Sequence, residues 1–131
     1  MAGYPAALGG TMTLSLALAL TCALLSVTDG DTIRAACPDP VIIRIANIDA
    51  PAGADCPRDA ARSADTLADL LTGTITVQPL YLDRWGRTVA TVTAQGQDVG
   101  QTLLDAGAAK KWPHDSKGRA QQPRPKWRGC R

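Results

Sequence analysis

The stretch VTDGDTIRAACPDPVIIRIANIDAP, from Val27 to Pro51, decides the fold, because it holds a tight turn and two apolar runs beside acidic residues. The segment 29–32, Asp-Gly-Asp-Thr, is typical of a turn, since glycine accepts a positive φ and aspartate can bond to its own backbone. Apolar residues flank the turn, with Leu24 and Val27 before it and Ile33 after it. The pattern predicts a β-hairpin with carboxylates at its tip.

A second apolar run, residues 41–48, predicts a buried strand that ends at Asp49. If this strand lies beside the hairpin, Asp31 and Asp49 meet at one end, where two carboxylates favour a divalent cation such as calcium. Arg44 interrupts the run, and a buried cation is costly unless it is paired, so we expect Arg44 to face the same site. The alternative is that these acids are ordinary turn aspartates at strand ends.

Composition bounds the class of protein. The 131 residues suffice for one small domain with one core, and all twelve acidic residues are aspartates, so no mechanism here can use a glutamate base. Residues 1–106 hold eleven Asp and six Arg, a net charge of −5, whereas residues 107–131 hold eight Lys or Arg and one Asp, a net charge of +7. A basic tail on an acidic body suits a polyanion such as nucleic acid, and it equally suits a solvated tail.

The N-terminal segment and the cysteines bear on location. Residues 14–25 form an apolar run of signal-peptide length that is too short to span a bilayer, and a small-residue site at 17–19 predicts a signal peptide over residues 1–19. No Lys or Arg precedes the run, so an uncleaved strand or a true start at Met12 stays open. Four cysteines without C-x-x-C spacing argue against zinc and fit two disulfides in an exported protein, with reduced cytosolic thiols as the alternative.

Periodicity supplies the remaining elements. Apolar spacing predicts helices over Arg58–Leu71 and Val99–Ala106, and alternation predicts strands over 74–80 and 88–93. Three strands, a helix, two strands and a helix predict an α+β fold, a five-stranded OB barrel of the kind that binds nucleic acids. We expect this domain to cover residues 20–109, to have no transmembrane span and to be a monomer.

The tail, residues 110–131, is expected to contain no long helix, because it holds three prolines among many basic residues. We expect His114, the only histidine, to be solvated.

Three motifs in order resemble those of the staphylococcal nuclease-like (thermonuclease) family: D-G-D-T at 29–32, R-x-x-x-x-D-A-P at 44–51, and D-R-W-G-R at 83–87. The similarity covers about residues 24–109. The resemblance implies an OB-fold and a calcium-dependent endonuclease that hydrolyses phosphodiester bonds in DNA and RNA.

The resemblance also implies roles for particular residues. Asp31, Asp49 and the main-chain carbonyl of Ala50 correspond to calcium ligands, and Asp29 to an acid behind them. Arg44 and its partner in the third motif, Arg87, correspond to two arginines that grip the scissile phosphate through bidentate hydrogen bonds.

Some of these positions have simpler explanations. An arginine in a surface turn is the commoner explanation of Arg87 when that residue is taken alone. Trp85 and Trp112 are candidates for stacking on bases, and burial as core or tail anchors is an equal alternative for each.

The chain departs from the family pattern at two places. The family has a glutamate base after the A-P pair, whereas this chain has Ala52, and Asp55 in the same loop is a candidate substitute. The chain also ends in a short basic tail, as in shorter bacterial relatives, which implies a Cys56–Cys130 disulfide and, across the first hairpin, a Cys22–Cys37 disulfide.

Two functions follow. The first is a nuclease that Ala52 weakens by removing the base, and the second is a non-catalytic module that binds nucleic acid. The retained acids and arginines favour the nuclease, because a pure binder has little need for a carboxylate pair near its phosphates.

Overall fold

A computed structural model of the protein describes residues 18–127. Nearly all of the predicted signal peptide and the whole of segment 128–131, which includes Cys130, lie outside the described residues. The signal peptide, the domain boundaries at 20–109 and 110–131, and the Cys56–Cys130 pairing therefore stay predictions.

The described chain forms a closed barrel with two helices. Its elements in chain order are β1 (Leu20–Asp29), β2 (Thr32–Ala36), β3 (Pro40–Ile45), β4 (Ile48–Asp49), α1 (Pro57–Leu70), β5 (Thr74–Leu82), β6 (Thr88–Ala94), β7 (Gln97–Asp98), α2 (Val99–Asp105) and β8 (Lys110–Lys111). The main sheet has the order β3-β2-β1-β5-β6-β7, and β3 also pairs in parallel with β6, which closes the five long strands into a barrel. The predicted five-stranded α+β OB-fold is confirmed. Of the five long strands, three precede α1 and two lie between α1 and α2.

The first hairpin forms as predicted, but its glycine has a different reason. Gly30 does not have a positive φ, so the conformational argument for a glycine at this position was wrong. A Cβ on Gly30 would overlap Ser63 Oγ and lie 2.8 Å from both Ser63 Cβ and Ala50 Cβ. The turn therefore needs glycine because it packs directly against α1 and the segment after β4.

The predicted continuous strand over residues 41–48 was wrong, because it breaks after Ile45. Asn47 has a φ of 65°, a left-handed conformation that asparagine tolerates better than most residues. Its carbonyl accepts the N–H of Trp112, and its Oδ1 accepts the N–H of His114. The break turns the chain into β4, which places Asp49 beside the tail, opposite Lys110 in β8.

The two helices begin close to their predicted positions. Pro57 occupies the first turn of α1, where a missing N–H costs nothing, and α1 ends one residue before the predicted end. The side chain of Asp98 accepts the N–H of Gln101 and caps α2. No helix within residues 18–127 has the length and apolar character needed to cross a membrane.

The core lies inside the barrel and under the helices. It consists of aliphatic side chains and alanines, as expected for a chain without phenylalanine; its largest fully buried members include Ile33, Ile43, Ile45, Leu67, Ile75, Val77, Val92, Val99 and Leu103.

The Cys22–Cys37 disulfide joins β1 to the turn after β2, with a Cα–Cα distance of 4.6 Å, and confirms the predicted pairing.

Candidate functional site

Two carboxylates from different elements meet at one arginine. Asp31 lies in the hairpin turn and Asp49 in β4, and one oxygen of each approaches the same atom, Arg44 Nη2, at 3.4 Å and 3.9 Å. The other terminal nitrogen, Nη1, donates to the carbonyl of Ile45 at 2.7 Å, which fixes the guanidinium. The charged residue inside the apolar run therefore lies between the two acids, and its burial is balanced by their charges.

Asp31 is held in an ionised state. Its Oδ1 accepts the hydroxyl of Thr32 and its Oδ2 accepts the N–H of Ala50, both at 2.9 Å. Burial by itself would raise the pKa of Asp31, but the positive charge of Arg44 and these hydrogen bonds outweigh it and hold the pKa below its usual range. Asp31 therefore carries a full negative charge at neutral pH.

Asp29 adds a second titrating acid behind Asp31. Its Oδ1 accepts the N–H of Asp31 at 3.1 Å. Burial, together with the neighbouring charge of Asp31, raises the pKa of Asp29 to about 6. Asp29 therefore becomes ionised as the pH rises through about 6, and its charge then adds to the negative potential around Asp31.

Both predicted phosphate-binding arginines line a cavity of about 490 Å³. Asp31 and Asp49 are not among its lining residues, and Arg44 connects them to it. Arg44 lies on β3 and Arg87 directly precedes β6, and the parallel pairing of these two strands brings the residues to the same cavity. Trp85, Trp112 and Tyr81 also line it.

Arg87 is oriented by an acid of its own turn. Its Nε donates to Asp83 Oδ2 at 2.6 Å, while Asp83 Oδ1 accepts the N–H groups of Arg87 and Trp85. Burial alone would raise the pKa of Asp83, but the hydrogen bonds and charge of Arg87 hold it below its usual range. Trp85 is 68% exposed, and the guanidinium carbons of Arg84 and Arg87 lie 4.5 Å and 5.2 Å from its ring centroid.

The tail forms another wall of the cavity. Trp112 and His114 are half-buried, their rings meet edge to face at 4.7 Å, and the Trp112 indole N–H donates to the carbonyl of Gln122. His114 was expected to be solvated, and its side chain is half-buried: Nδ1 lies 2.8 Å from the carbonyl of Trp112, and the backbone N–H donates to Asn47 Oδ1.

Two further tail residues contact Asp49, and the sequence reasoning missed both. Arg124 Nε donates to Asp49 Oδ1 at 3.0 Å, and the indole N–H of Trp127 donates to Oδ2 at 3.2 Å. Asp49 is 0% exposed. In the sequence, Arg124 lies between two prolines, and this pattern predicts an extended segment. The pattern does not indicate which part of the protein that segment packs against.

The loop that would carry a catalytic base has none close to the cavity. Ala52 begins a turn in which its carbonyl accepts the N–H groups of Asp55 and Cys56. Asp55 is exposed, and among the described residues it is not one of those that line the cavity of Arg44 and Arg87. The structure does not bring the predicted substitute base to the arginines.

The donor atoms of the acidic centre suit a hard cation. Within residues 18–127, no three or more His, Cys, Asp or Glu side chains are grouped as metal ligands. Asp31 and Asp49 nevertheless converge, and they offer only oxygen, the donor that calcium prefers. Calcium takes about six to eight oxygens, so a cation here would also need main-chain carbonyls and water.

Comparison with known proteins places the chain in a family. A sequence model of the family described as Staphylococcal nuclease homologue matches residues 42–125, which is more than half of the chain and includes Arg44, Asp49, Arg87 and Arg124. A search of curated proteins found no match. The matched region runs from β3 through both helices to the tail that contacts Asp49. The chain therefore belongs to the family of staphylococcal nuclease homologues.

Proposed function

We propose that the protein is a nuclease that hydrolyses phosphodiester bonds in DNA or RNA with calcium as its metal ion. The observation that carries the proposal is the convergence of Asp31 and Asp49 on Arg44, which shares a cavity with Arg87. Membership of the family supports a nuclease or a nucleic-acid-binding domain, and the paired acids favour the nuclease.

The acids would hold the cation. Asp31 and Asp49 would supply charged oxygens, and the carbonyl of Ala50 a neutral one, while Asp29 adds negative potential behind them. When bound, calcium would neutralise the charge of a phosphate and polarise its phosphorus–oxygen bonds.

The two arginines would bind the phosphate oxygens. A guanidinium offers five N–H donors in a planar fork, so Arg87 can keep its Nε on Asp83 and present its terminal nitrogens to a phosphate. Donors fixed in this way stabilise the charge that builds on the oxygens in the transition state without reorganising. Trp85 is exposed at the rim of the cavity and is available to stack on a base.

Ala52 lowers the rate of cleavage that we expect. A methyl group neither accepts a proton nor orients water, and losing a positioned base costs about 10²–10⁴-fold in rate. We therefore expect slow cleavage. Substituting Asp55→Ala tests whether Asp55 replaces the base; an unchanged rate of cleavage with calcium would remove Asp55 from the mechanism.

The second candidate is a non-catalytic module that binds nucleic acid. Ala52 favours it, because the arginines would retain their grip on phosphate while the base is lost. The basic tail and the exposed Trp85 suit this function equally.

One experiment separates the two candidates. Degradation of plasmid DNA and of RNA is measured with calcium and with a chelator, for the wild type, Asp31→Asn and Asp105→Asn. The last is a control that removes one negative charge from the exposed face of α2. A nuclease should cleave only with calcium, lose cleavage in Asp31→Asn and retain it in Asp105→Asn. Binding without calcium-dependent cleavage would establish the second candidate.

The Cys22–Cys37 disulfide supports an oxidising compartment, and we propose that the protein is exported. Fractionation of producing cells tests this location, and recovery of the reduced protein in the cytoplasm would contradict it.

A further inference from the structure

We propose that the tail segment 124–127, here named the tail clamp, blocks cation binding at Asp49, and that nucleic acid releases it by drawing Arg124 to a phosphate. The inference rests on the proposed nuclease function and adds a control of its metal site. It predicts that nucleic acid and cation bind cooperatively.

The clamp engages both oxygens of Asp49. Arg124 donates to Oδ1 and Trp127 to Oδ2, so each oxygen already accepts a hydrogen bond before any cation arrives. Arg44 Nη2 also lies 3.9 Å from Oδ1. A cation that bound Asp49 would compete with two donors for its oxygens and would lie beside two guanidinium charges, which repel it.

Two guanidinium charges lie beside Asp49. Arg124 Nε is 3.0 Å and Arg44 Nη2 is 3.9 Å from Oδ1 of Asp49, so departure of Arg124 removes the nearer of the two positive charges that repel a cation. Because Asp49 is fully buried, water screens this interaction less than it would screen a surface pair.

Arg124 is accessible to a phosphate from solvent and lies next to a residue of the cavity. The side chain of Arg124 is 57% exposed, although the carboxylate that it contacts is completely covered. Arg124 also lies 5.7 Å from the ring of Trp112, which lines the cavity of Arg44 and Arg87. A phosphate in that region can compete for Arg124, because guanidinium binds phosphate and carboxylate with the same bidentate geometry.

Apart from its two hydrogen bonds to Asp49, the clamp has one further hydrogen bond within residues 18–127, which is exposed, and contacts with aromatic rings. Lys110 Nζ donates to the carbonyl of Lys126 and lies 4.6 Å from the ring centroid of Trp127. Pro123 and Pro125 restrict the segment to an extended form and keep it out of regular secondary structure. Release of the clamp therefore breaks few hydrogen bonds and no element of the barrel.

Thermodynamic linkage then fixes two effects. If phosphate takes Arg124 from Asp49, nucleic acid raises the affinity for the cation, and the cation raises the affinity for nucleic acid by the same factor. Couplings of this kind are typically about 5–150-fold.

Calorimetric titration of calcium into four full-length proteins tests the clamp: the wild type, Arg124→Ala, Trp127→Phe and Arg119→Ala. Trp127→Phe keeps an aromatic ring and removes the N–H donor. Arg119→Ala is the matched control, because Arg119 is a tail arginine that pairs with Asp115 instead of Asp49. We expect Arg124→Ala to bind calcium about tenfold more tightly than the wild type, Trp127→Phe to bind several-fold more tightly, and Arg119→Ala to be unchanged.

A second measurement tests the linkage itself. Calcium should bind the wild type more tightly when a nuclease-resistant phosphorothioate oligonucleotide is present, and the gain should be smaller in Arg124→Ala, in which there is no Arg124 to release.

The outcomes separate the clamp from the nuclease. Equal calcium affinity in the wild type and Arg124→Ala, with the same gain from the oligonucleotide in both, would overturn the clamp and leave the nuclease standing. Absence of calcium binding in all four proteins, even with the oligonucleotide, would overturn both proposals.

Discussion

The N–H of Ala50 donates a 2.9 Å hydrogen bond to Oδ2 of Asp31, nineteen positions earlier, and joins the hairpin turn to the segment after β4. Asp31 therefore has a structural task as well as its proposed role as a ligand. Asp31→Asn keeps an acceptor for Ala50 and loses the charge, whereas Asp31→Ala loses both. We expect both variants to lose calcium-dependent cleavage, and Asp31→Ala to lose a further 1–3 kcal/mol, roughly, of unfolding free energy in urea. Cleavage by Asp31→Asn at the wild-type rate would contradict the ligand role.

Gly30 has no room for a side chain. Gly30→Ala would push Cβ into Ser63 and Ala50, so we expect it to lower the unfolding free energy by about 1–3 kcal/mol. Gly53→Ala is the control, because a Cβ at Gly53 would meet nothing within 4 Å. Urea denaturation measures both variants. Equal stability of the two would show that the turn can move away from α1.

The pairing of Asp83 with Arg87 predicts a pH dependence. Because the pKa of Asp83 is lower in the folded than in the unfolded protein, its stabilising contribution is present above its ordinary pKa near 4 and is lost as the pH falls below it. Asp83→Asn should therefore be less stable than the wild type at pH 7, and the difference should shrink toward pH 3. Thermal unfolding across this range checks the prediction. A difference independent of pH would mean that the charge of Asp83 does not matter.

The Cys22–Cys37 disulfide closes a loop with a sequence separation of 15, and the chain-entropy relation predicts a stabilisation of about 3 kcal/mol for a loop of this size. We expect the double variant Cys22→Ala, Cys37→Ala to lose roughly this free energy in urea denaturation. The wild type measured with and without reductant provides the comparison. A double variant as stable as the oxidised wild type would show that β1 and β2 need no covalent link.

Ala52→Glu should restore a base. If the nuclease is slow because position 52 lacks a carboxylate, the rate of calcium-dependent cleavage should rise, by as much as about 10²–10⁴-fold. Ala54→Glu adds the same charge to an exposed position of the same loop and controls for a general electrostatic effect. An equal gain in both variants, or no gain in Ala52→Glu, would mean that the position does not limit the rate.

Local patterns were sufficient to predict the barrel. Apolar and polar residues alternate over β5 and β6, and apolar residues recur at helical spacing over α1. Each pattern reflects one buried face, and it is formed by residues that are close together in the sequence. The convergence of Asp31 and Asp49 on Arg44 was also predictable, since a cation in an apolar run needs partners.

The remaining features depend on contacts between distant parts of the chain. The break at Asn47 is stabilised by hydrogen bonds from Trp112 and His114 in the tail. The requirement for glycine at position 30 comes from Ser63 on α1. The contacts of the tail with Asp49 span about seventy-five positions, and no local pattern encodes such a pairing.

The parallel pairing of β3 with β6 joins residues 43–45 to residues 88–90. Arg44 lies within this ladder and Arg87 immediately precedes it, so the two arginines share one cavity only when β3 and β6 pair. A long-range seam of this kind forms slowly, because its loop-closure entropy must be overcome before its contacts contribute. A chain in which β3 and β6 are unpaired would already possess the acidic hairpin but would lack the paired arginines that the proposed nuclease needs to bind a phosphate. For the same reason, any nucleotide that binds between these arginines should raise the melting temperature of the whole molecule.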